Sequence, residues 1–217
     1  MGNDTAMQMT RAFNELAGAY DHEHHDAVAR ALLEFMGSPG SPLDGRAADV
    51  ACGSGAAALA LAETRAAGQL TDASQAAPIL AVDLSAAMIE TGRARAERAG
   101  YAEAIDWRIG SALPLPVDDG TLDLIVCASS LHFLGAAALA DWLRALRRGG
   151  RVGFTMPTAG TFRPRGTFAQ LVAEDLPLPA DAQEASRLAA DAGFTDARTR
   201  IAAVNSREVA LVTGIKR

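Results

Sequence analysis

The residues best suited to chemistry in this 217-residue chain stand in a glycine turn, D-V-A-C-G-S-G, at positions 49–55. Gly53 and Gly55 have no Cβ, so the backbone there can take a positive φ and a ligand can approach it closely. A helix that starts near Ala56 would direct unpaired N–H groups toward the same place. The turn therefore predicts a ligand site, although glycine pairs also occur in plain strand-to-helix turns.

A carboxylate stands at the end of the next apolar stretch. Residues 79–82 predict a strand, and Asp83 follows about thirty residues after the glycines. In a βαβ unit an acid at this place holds ribose hydroxyls. The nicotinamide fingerprint G-x-G-x-x-G is not met, because Ala58 stands three residues after Gly55. The pair of motifs thus favours a nucleoside ligand that is not a dinucleotide.

At these positions the chain resembles the class I S-adenosylmethionine-dependent methyltransferases. Their first motif reads D-x-x-C-G-x-G, and their second ends a strand with an acid followed by L-S-x-x-M, as Asp83 to Met88 do here. The resemblance implies S-adenosyl-L-methionine as cofactor and S-adenosyl-L-homocysteine as product. It implies the following cofactor-binding residues: Tyr20, Asp49, Ala51, Cys52, Gly53, Gly55, Asp83, Leu84, Met88, Ser111, Ala112, Leu113, Ala128 and Ser129.

One family motif is altered in this chain. The family pattern G-D-A-x-x-L-P-F is represented by G-S-A-L-P-L-P at positions 110–116, so Ser111 replaces the acid. That acid usually accepts a hydrogen bond from the adenine amino group. A serine hydroxyl still accepts one, without charge assistance.

His132 is the leading candidate for catalysis. It follows the fourth predicted strand in the run A-S-S-L-H-F, at the edge where doubly wound sheets keep their active sites. An imidazole with an ordinary pKa takes a proton from a hydroxyl or amine near neutral pH, so the rate should rise with pH through about 6–7. The competing interpretation is a histidine that only packs or bonds to the backbone.

Two helical stretches precede the glycine turn, over residues 6–20 and 24–36, and a Gly/Pro/Ser run at 37–42 separates them from it. In the family a segment of the form F-x-x-x-A-x-x-Y-D covers the cofactor, and Phe13, Ala17, Tyr20 and Asp21 stand at those places. The resemblance divides the chain into a helical lid segment, residues 1–42, and a methyltransferase domain, residues 43–217.

The run D-H-E-H-H-D at positions 21–26 has metal-ligand residue types at helical spacing. The sequence has no further His or Cys pairs to complete a shell, so no metal site is predicted. A solvated first helical turn, or lid residues that reach the substrate, are the interpretations that stay open.

Strands and helices alternate along the rest of the chain, which predicts a parallel sheet with helices on both faces. Strands are predicted at 47–51, 79–82, 105–109, 122–127, 151–156, 197–204 and 209–214, and helices at 56–67, 86–99, 136–146 and 182–192. The resemblance implies a Rossmann-like, doubly wound α/β sheet of seven strands in the order 3-2-1-4-5-7-6, the last strand antiparallel. The polar residues 68–77 predict a surface excursion. The resemblance implies that residues 158–179, after the fifth strand, form a substrate-recognising segment.

Composition limits the partners. A net charge of −6 and a pI of about 5.2 disfavour nucleic acid. No apolar run reaches the length of a membrane span, and no secretory signal is recognisable, so a cytoplasmic protein, monomeric or homodimeric, is expected.

We predict methyl transfer to a small-molecule acceptor at O, N or C. The alternatives are a cofactor-binding protein with another reaction, such as cyclisation, and a protein or nucleic-acid methyltransferase.

Overall fold

A computed structural model describes residues 3–37, 43–67 and 77–217. Its helices are α1 (Asn3–Leu16), α2 (His22–Met36), α3 (Ala56–Ala66), α4 (Ala86–Ala99), α5 (Leu131–Leu134), α6 (Ala136–Ala145), α7 (Thr167–Leu171) and α8 (Ala182–Asp191). Its strands are β1 (Ala47–Val50), β2 (Ile79–Asp83), β3 (Ile105–Ile109), β4 (Leu122–Cys127), β5 (Leu146–Pro157), β6 (Thr195–Val204) and β7 (Arg207–Ile215).

The seven strands form one sheet in the order β3-β2-β1-β4-β5-β7-β6. Strands β1 to β5 are parallel to one another, and β7 runs antiparallel to its two neighbours, β5 and β6. The predicted strand order and Rossmann-like architecture are confirmed. Because β7 is antiparallel, it starts at the edge where the parallel strands end, and Val209 pairs with Pro157 there.

The largest error in the predicted strands is the start of β5. The basic run before Gly149 and Gly150 was expected to lie outside the strand, yet β5 begins at Leu146. Gly149 takes a φ of 76° and its N–H donates to the carbonyl of Lys216 at 2.7 Å, while the Lys216 N–H donates to Gly150 at 2.9 Å. Pairing with the end of the chain therefore extends the strand through the glycines.

The sheet separates two apolar clusters, because successive side chains of a strand point to opposite faces. Ala47 and Leu124 join helices α2, α3 and α4 on one face, whereas Ala48 and Ile125 join α6 and α8 on the other. The core strands read as continuous apolar runs, as expected for parallel strands buried on both sides.

Helix α2 belongs to this core. Val28, Ala29, Leu32 and Met36 are fully buried against the sheet and α3. Helix α1 packs differently, across α4 and α7, with Met9 in a small separate cluster. The predicted lid segment therefore packs in two different ways, since α2 is part of the main core and α1 is not. The predicted linker and the boundary after residue 42 fall among residues 38–42, outside the described residues.

A buried arginine ties together the chain around β1 and β2. The guanidinium of Arg65, at the end of α3, donates to the carbonyls of Leu43 at 3.3 Å, Gly45 at 2.8 Å and Ala77 at 3.3 Å. It satisfies three backbone acceptors at once, which a buried charge requires. The predicted excursion at 68–77 lies almost wholly outside the described residues.

No helix within the described ranges is long and apolar enough to cross a membrane.

Candidate functional site

The glycine turn is held in an unusual backbone conformation by its neighbours. Gly55 has a φ of 78° and caps α3, and a Cβ added to it would lie 2.3 Å from the Trp107 ring. Ala51 takes a positive φ of 51° although it is not glycine. Such strained residues persist only where the surroundings fix them, and they concentrate at functional sites.

Asp83 closes the turn from the end of β2. Its two carboxylate oxygens accept the N–H groups of Gly53 and Ser85, both at 2.8 Å. Burial raises the pKa of Asp83, while hydrogen bonds from the backbone N–H groups of Ser85, Gly53 and Leu84 oppose that rise. Each oxygen keeps a further lone pair, so the carboxylate can still receive two ligand hydroxyls.

A cavity of about 510 Å³ opens over this turn, at the edge where the parallel strands end. Eleven predicted site residues line it: Tyr20, Ala51, Gly53, Asp83, Leu84, Met88, Ser111, Ala112, Leu113, Ser129 and His132. Helix α1 closes one side with Met9, Thr10, Phe13 and Leu16. The turn, the second acid and the candidate base therefore share one space.

Four predicted site residues do not line this cavity. Asp49 is 1% exposed and its carboxylate accepts the Ala58 N–H at 2.8 Å, so it fastens the start of α3. Cys52 is buried, and Ala128 packs against the core cluster. Gly55 is required by the Trp107 ring. Asp49, Cys52 and Gly55 are parts of the strand and turn beneath the cavity, and contact of these four residues with the cofactor stays a prediction.

Ser111 meets the cavity with its hydroxyl already engaged. The Oγ accepts the Leu113 N–H at 3.1 Å and donates to the Leu113 carbonyl. One lone pair stays available for an amino group, so the serine that replaces the family acid retains acceptor capacity.

The histidine-rich start of α2 faces the cavity as well as solvent. Asp21 caps the helix, accepting the His24 N–H at 3.2 Å. His24 is buried, and His25 stacks on Tyr20 with the ring centroids 4.5 Å apart and the planes 10° from parallel. Both rings line the cavity. The interpretation of this run as a solvated first helical turn is therefore wrong for His24 and His25. The other interpretation, in which these residues cover the site and reach the substrate, stays a prediction.

His132 lines the cavity, but its environment corrects the predicted titration. The ring is 4% exposed and lies against Phe133 and Phe162, at 4.0 and 5.0 Å between centroids. Burial, and to a smaller extent the neighbouring His25, lowers the pKa of His132 to about 3. The imidazole is therefore neutral at physiological pH, and a rate step at pH 6–7 is not expected from it.

An ion pair between α2 and α4 also contacts the glycine turn. Arg95 of α4 donates to both carboxylate oxygens of Asp26, at 2.7 and 2.6 Å, with side chains 15% and 24% exposed. The same guanidinium donates to the carbonyl and hydroxyl of Ser54, and His22 contacts that hydroxyl at 3.0 Å. Helices α2 and α4 thus hold the turn between them.

The far wall of the cavity is aromatic. Phe13 makes edge contacts with Phe133 and Phe168, at 5.7 and 5.4 Å between centroids.

The guanidinium of Arg163 donates to the carbonyls of Ala159, Gly160 and Phe162, so it orders its own loop. Arg207, from the β6–β7 hairpin, pairs with Asp21 at 3.7 Å across the cavity mouth.

Asp49 predicts a pH-dependent stability. Burial raises the pKa of its carboxyl to about 7, against the hydrogen bond from Ala58, which lowers it. Because the folded pKa exceeds the unfolded value, the stability linked to the protonated form is complete below about pH 4 and is lost as pH rises through 7. The free energy of unfolding of Asp49→Asn should therefore increase relative to that of wild type, by about 1.4 kcal/mol for each pH unit between about pH 4 and pH 7. Urea unfolding at pH 5 and pH 8 measures this, and an unchanged difference between the two pH values contradicts it.

The comparisons with known proteins agree with this geometry. Residues 47–150 match the model of a family described as methyltransferase domain. The demethylmenaquinone methyltransferase of Symbiobacterium thermophilum is 30% identical over 140 residues, which is 62% of this chain and 48% of that protein. Over residues 47–150 the chain is therefore similar to a methyltransferase domain, and the matches support the predicted class I S-adenosylmethionine-dependent family.

Two further matches show what else the chain is similar to. The ubiquinone/menaquinone biosynthesis C-methyltransferase UbiE of Ruegeria sp. is 28% identical over 69% of this chain and 59% of its own. Magnesium protoporphyrin IX methyltransferase from Synechocystis, solved with S-adenosylmethionine bound, has a TM-score of 0.61 at 14% identity, covering 89% of this chain and 80% of its own. The latter match shows the fold alone. The chain spans about half the length of the Symbiobacterium demethylmenaquinone methyltransferase.

The residues present fit S-adenosylmethionine. Gly53 leaves open backbone on the cavity side, where an added Cβ would meet only the Tyr20 hydroxyl at 3.6 Å. Asp83 offers lone pairs for ribose hydroxyls, and Leu84 and Met88 supply an apolar face. Burial raises the pKa of the Tyr20 phenol far above its usual value, and Asp83 adds to that rise, so the hydroxyl stays protonated.

Sequence reasoning missed three contributors to the site. Trp107 under the turn gave no signal, because an aromatic residue in a strand is ordinary. The sequence left His24 and His25 open between a solvated helical turn and lid residues that reach the substrate. The hairpin residues Arg207 and Glu208 line the mouth because β7 is antiparallel and so begins beside the ends of the parallel strands.

Proposed function

We propose that this methyltransferase transfers the methyl group of S-adenosylmethionine to a small molecule bound in the same cavity. The observation that carries the proposal is the continuity of one space from Asp83 and the glycine turn to the aromatic wall around Phe133. Donor and acceptor sites that share a closed space bring the two reactants into alignment and exclude water.

When bound, the cofactor would supply a methyl group on a sulfonium: a lone pair of the acceptor atom would bond to the methyl carbon, and the carbon–sulfur electron pair would leave with the sulfur of S-adenosylhomocysteine. The residues of this chain hold and orient the partners. We assign Asp83 to the ribose hydroxyls, Gly53 to the methionine end, and Ser111 to the adenine amino group. Tyr20 and helix α1 cover them from the side of solvent.

The direct test is incubation with methyl-labelled S-adenosylmethionine and a panel of acceptors. The panel includes phenols, amines and quinols, since two relatives are named for quinone biosynthesis. Transfer of label to a small molecule together with formation of S-adenosylhomocysteine supports the proposal. Tight cofactor binding without any transfer, to the panel or to a metabolite extract, favours the alternative of a cofactor-binding protein with another reaction.

The pH profile of turnover follows from the buried histidines. Because burial lowers the pKa of His25 to about 4 and of His132 to about 3, both rings are neutral throughout pH 6 to 8. We expect turnover at saturating cofactor and acceptor to change less than about twofold across that range, and to fall only as the rings become protonated in acid. A tenfold rise between pH 6 and 7.5 contradicts the assignment of neutral rings.

The finer predictions about partners rest on the sequence. The negative net charge is the reason to exclude nucleic acid. A cytoplasmic location and a monomeric or homodimeric state are part of the proposal.

A further inference from the structure

Two residues at strand ends beside the cavity hold a backbone conformation that their residue types do not favour. Ala51, just after β1, has a φ of 51°, and Ser129, shortly after β4, has a φ of 68°. Both line the cavity. Outside glycine, a positive φ costs free energy and persists only where the surrounding structure enforces it. Contacts with neighbouring groups must therefore hold both residues.

The other non-glycine residues with a positive φ in the described ranges have local explanations. Asn205 and Ser206 form the two-residue turn between β6 and β7. Turns of this length favour a positive φ at both positions. Asp196 lies at a register shift in β6, and aspartate tolerates this conformation better than most residues. The two cavity residues differ from these three, because they lie at the ends of parallel strands.

Each of the two cavity residues is held by a side-chain hydroxyl. The Thr155 Oγ1, near the end of β5, accepts the Ser129 N–H at 2.7 Å. The Ser130 hydroxyl donates to the Ala51 carbonyl at 2.9 Å and lies 3.5 Å from the Ala128 carbonyl. Thr155 is 1% exposed, so its bond to the Ser129 N–H is shielded from water. The two hydroxyls thus link the ends of β5, β4 and β1.

These hydrogen bonds lie where the pairing of the parallel strands ends. The last pairs are Asp49 with Val126, between β1 and β4, and Cys127 with Phe154, between β4 and β5. A backbone group beyond the last pair needs another partner. The strand order reverses between β1 and β4, and open α/β sheets bind their ligands in the crevice at that point. The Ser130 hydroxyl bridges this crevice.

The cofactor is expected to extend along the strand ends in one direction. In the proposed function Ser111, after β3, binds the adenine. Asp83, at the end of β2, binds the ribose, and Gly53, after β1, receives the methionine end. Because β3, β2 and β1 are consecutive in the sheet, the methionine end reaches the crevice between β1 and β4. Ala51 and Ser129 lie on the two sides of that crevice.

We propose that Ser130 and Thr155 are positioning residues for the methionine end of S-adenosylmethionine. Their hydroxyls hold Ala51 and Ser129 in the conformation that receives the cofactor, so this part of the site is ordered by folding and not by binding. They act through these two residues and do not have to contact the cofactor. The inference rests on the proposed function, from which it takes the cofactor and its direction.

The test compares two ligands that differ at the methionine end. S-adenosylhomocysteine carries the amino-acid group, whereas 5′-methylthioadenosine has the adenine, the ribose and the sulfur without it. In Thr155→Val and in Ser130→Ala we expect the dissociation constant of S-adenosylhomocysteine to rise about tenfold, since each variant removes a hydrogen-bond partner of a strained residue. The dissociation constant of 5′-methylthioadenosine should change less than about twofold. Isothermal titration calorimetry measures both.

Two control variants distinguish positioning from packing. Thr155→Ser keeps the hydroxyl and should bind S-adenosylhomocysteine within about threefold of wild type. Thr213→Val removes another buried hydroxyl, which donates to the Val152 carbonyl at 3.0 Å and does not line the cavity. Both dissociation constants should stay within about twofold of wild type in that variant. Thermal unfolding reports whether each variant folds, and Ser130→Ala, at a half-buried position, gives the result even where Thr155→Val does not fold.

The outcomes separate this inference from the proposed function. If wild type does not bind S-adenosylhomocysteine, the proposed function fails. If wild type binds it and Ser130→Ala does not weaken it more than 5′-methylthioadenosine, the positioning role alone is overturned. A Thr155→Ser variant that binds as weakly as Thr155→Val overturns the role of the Thr155 hydroxyl. A loss confined to S-adenosylhomocysteine and restored in Thr155→Ser supports the inference.

Discussion

Asp83→Asn is expected to weaken binding of S-adenosylhomocysteine by about 30- to 150-fold, the equivalent of 2–3 kcal/mol. The carboxylate has two roles at once, because it accepts the N–H groups of Gly53 and Ser85 and keeps lone pairs for the ribose hydroxyls. Asparagine has the same size but turns an NH₂ group toward one of those N–H donors. Both the turn and the charge-assisted contact are lost. Isothermal titration calorimetry measures the change.

The matched control for Asp83 is Asp106→Asn on the neighbouring strand β3. Asp106 pairs only with Arg108 on the exposed surface and pairs in the sheet with Leu80, away from the cavity. Its replacement should leave cofactor affinity unchanged within about twofold. An Asp83→Asn affinity within threefold of wild type would remove this acid from the site.

Removal of residues 1–16 is expected to reduce turnover by on the order of 100-fold while the sheet domain still folds. Helix α1 supplies Met9, Thr10, Phe13 and Leu16 to the cavity wall, so the truncated site is open to water. Among its described side chains only Met9 and Ala12 are buried, 5% and 8% exposed, in a cluster apart from the main core. Tyr20 is retained in this variant because it stacks on His25. Circular dichroism measures folding, and the labelled-methyl assay measures turnover.

Surface substitution of the same helix is the control for this truncation. Arg11 and Glu15 form an exposed pair along α1, with side chains 82% and 67% exposed, and Arg11→Ala should have no measurable effect on turnover. Full activity of the truncated protein would show that α1 only packs. Loss of cooperative unfolding would show that α1 belongs to the folding core.

Much of the fold could be predicted because the core repeats one local pattern. Apolar runs such as 79–83 alternate with alanine-rich helices, and the D-x-x-C-G-x-G motif placed the chain in a family whose strand order is fixed. Strand ends were less predictable, since Leu146 is strand through pairing with Leu122, and Gly149 and Gly150 through pairing with Lys216, a partner more than sixty residues away in sequence.

The site was predictable where local sequence determines its geometry. Gly53 and Asp83 follow strands directly, so topology alone brings them to one edge. That His25 and His132 line one cavity depends on how α2 packs across the sheet, which no periodicity encodes. The pKa of His132 likewise depends on burial by Phe133 and Phe162, so its ordinary value was the wrong starting point. Gly55 matched a binding motif but serves the Trp107 ring.

The carbonyl-bound guanidinium of Arg65 has a consequence for engineering of this protein. It fixes Leu43 and Gly45 before β1 and Ala77 before β2, the points where the chain re-enters the sheet after residues 38–42 and 68–76. A change of chain length before Leu43 or before Ala77 therefore ends at a residue whose carbonyl is held by Arg65, which opposes a shift of strand register in β1 and β2.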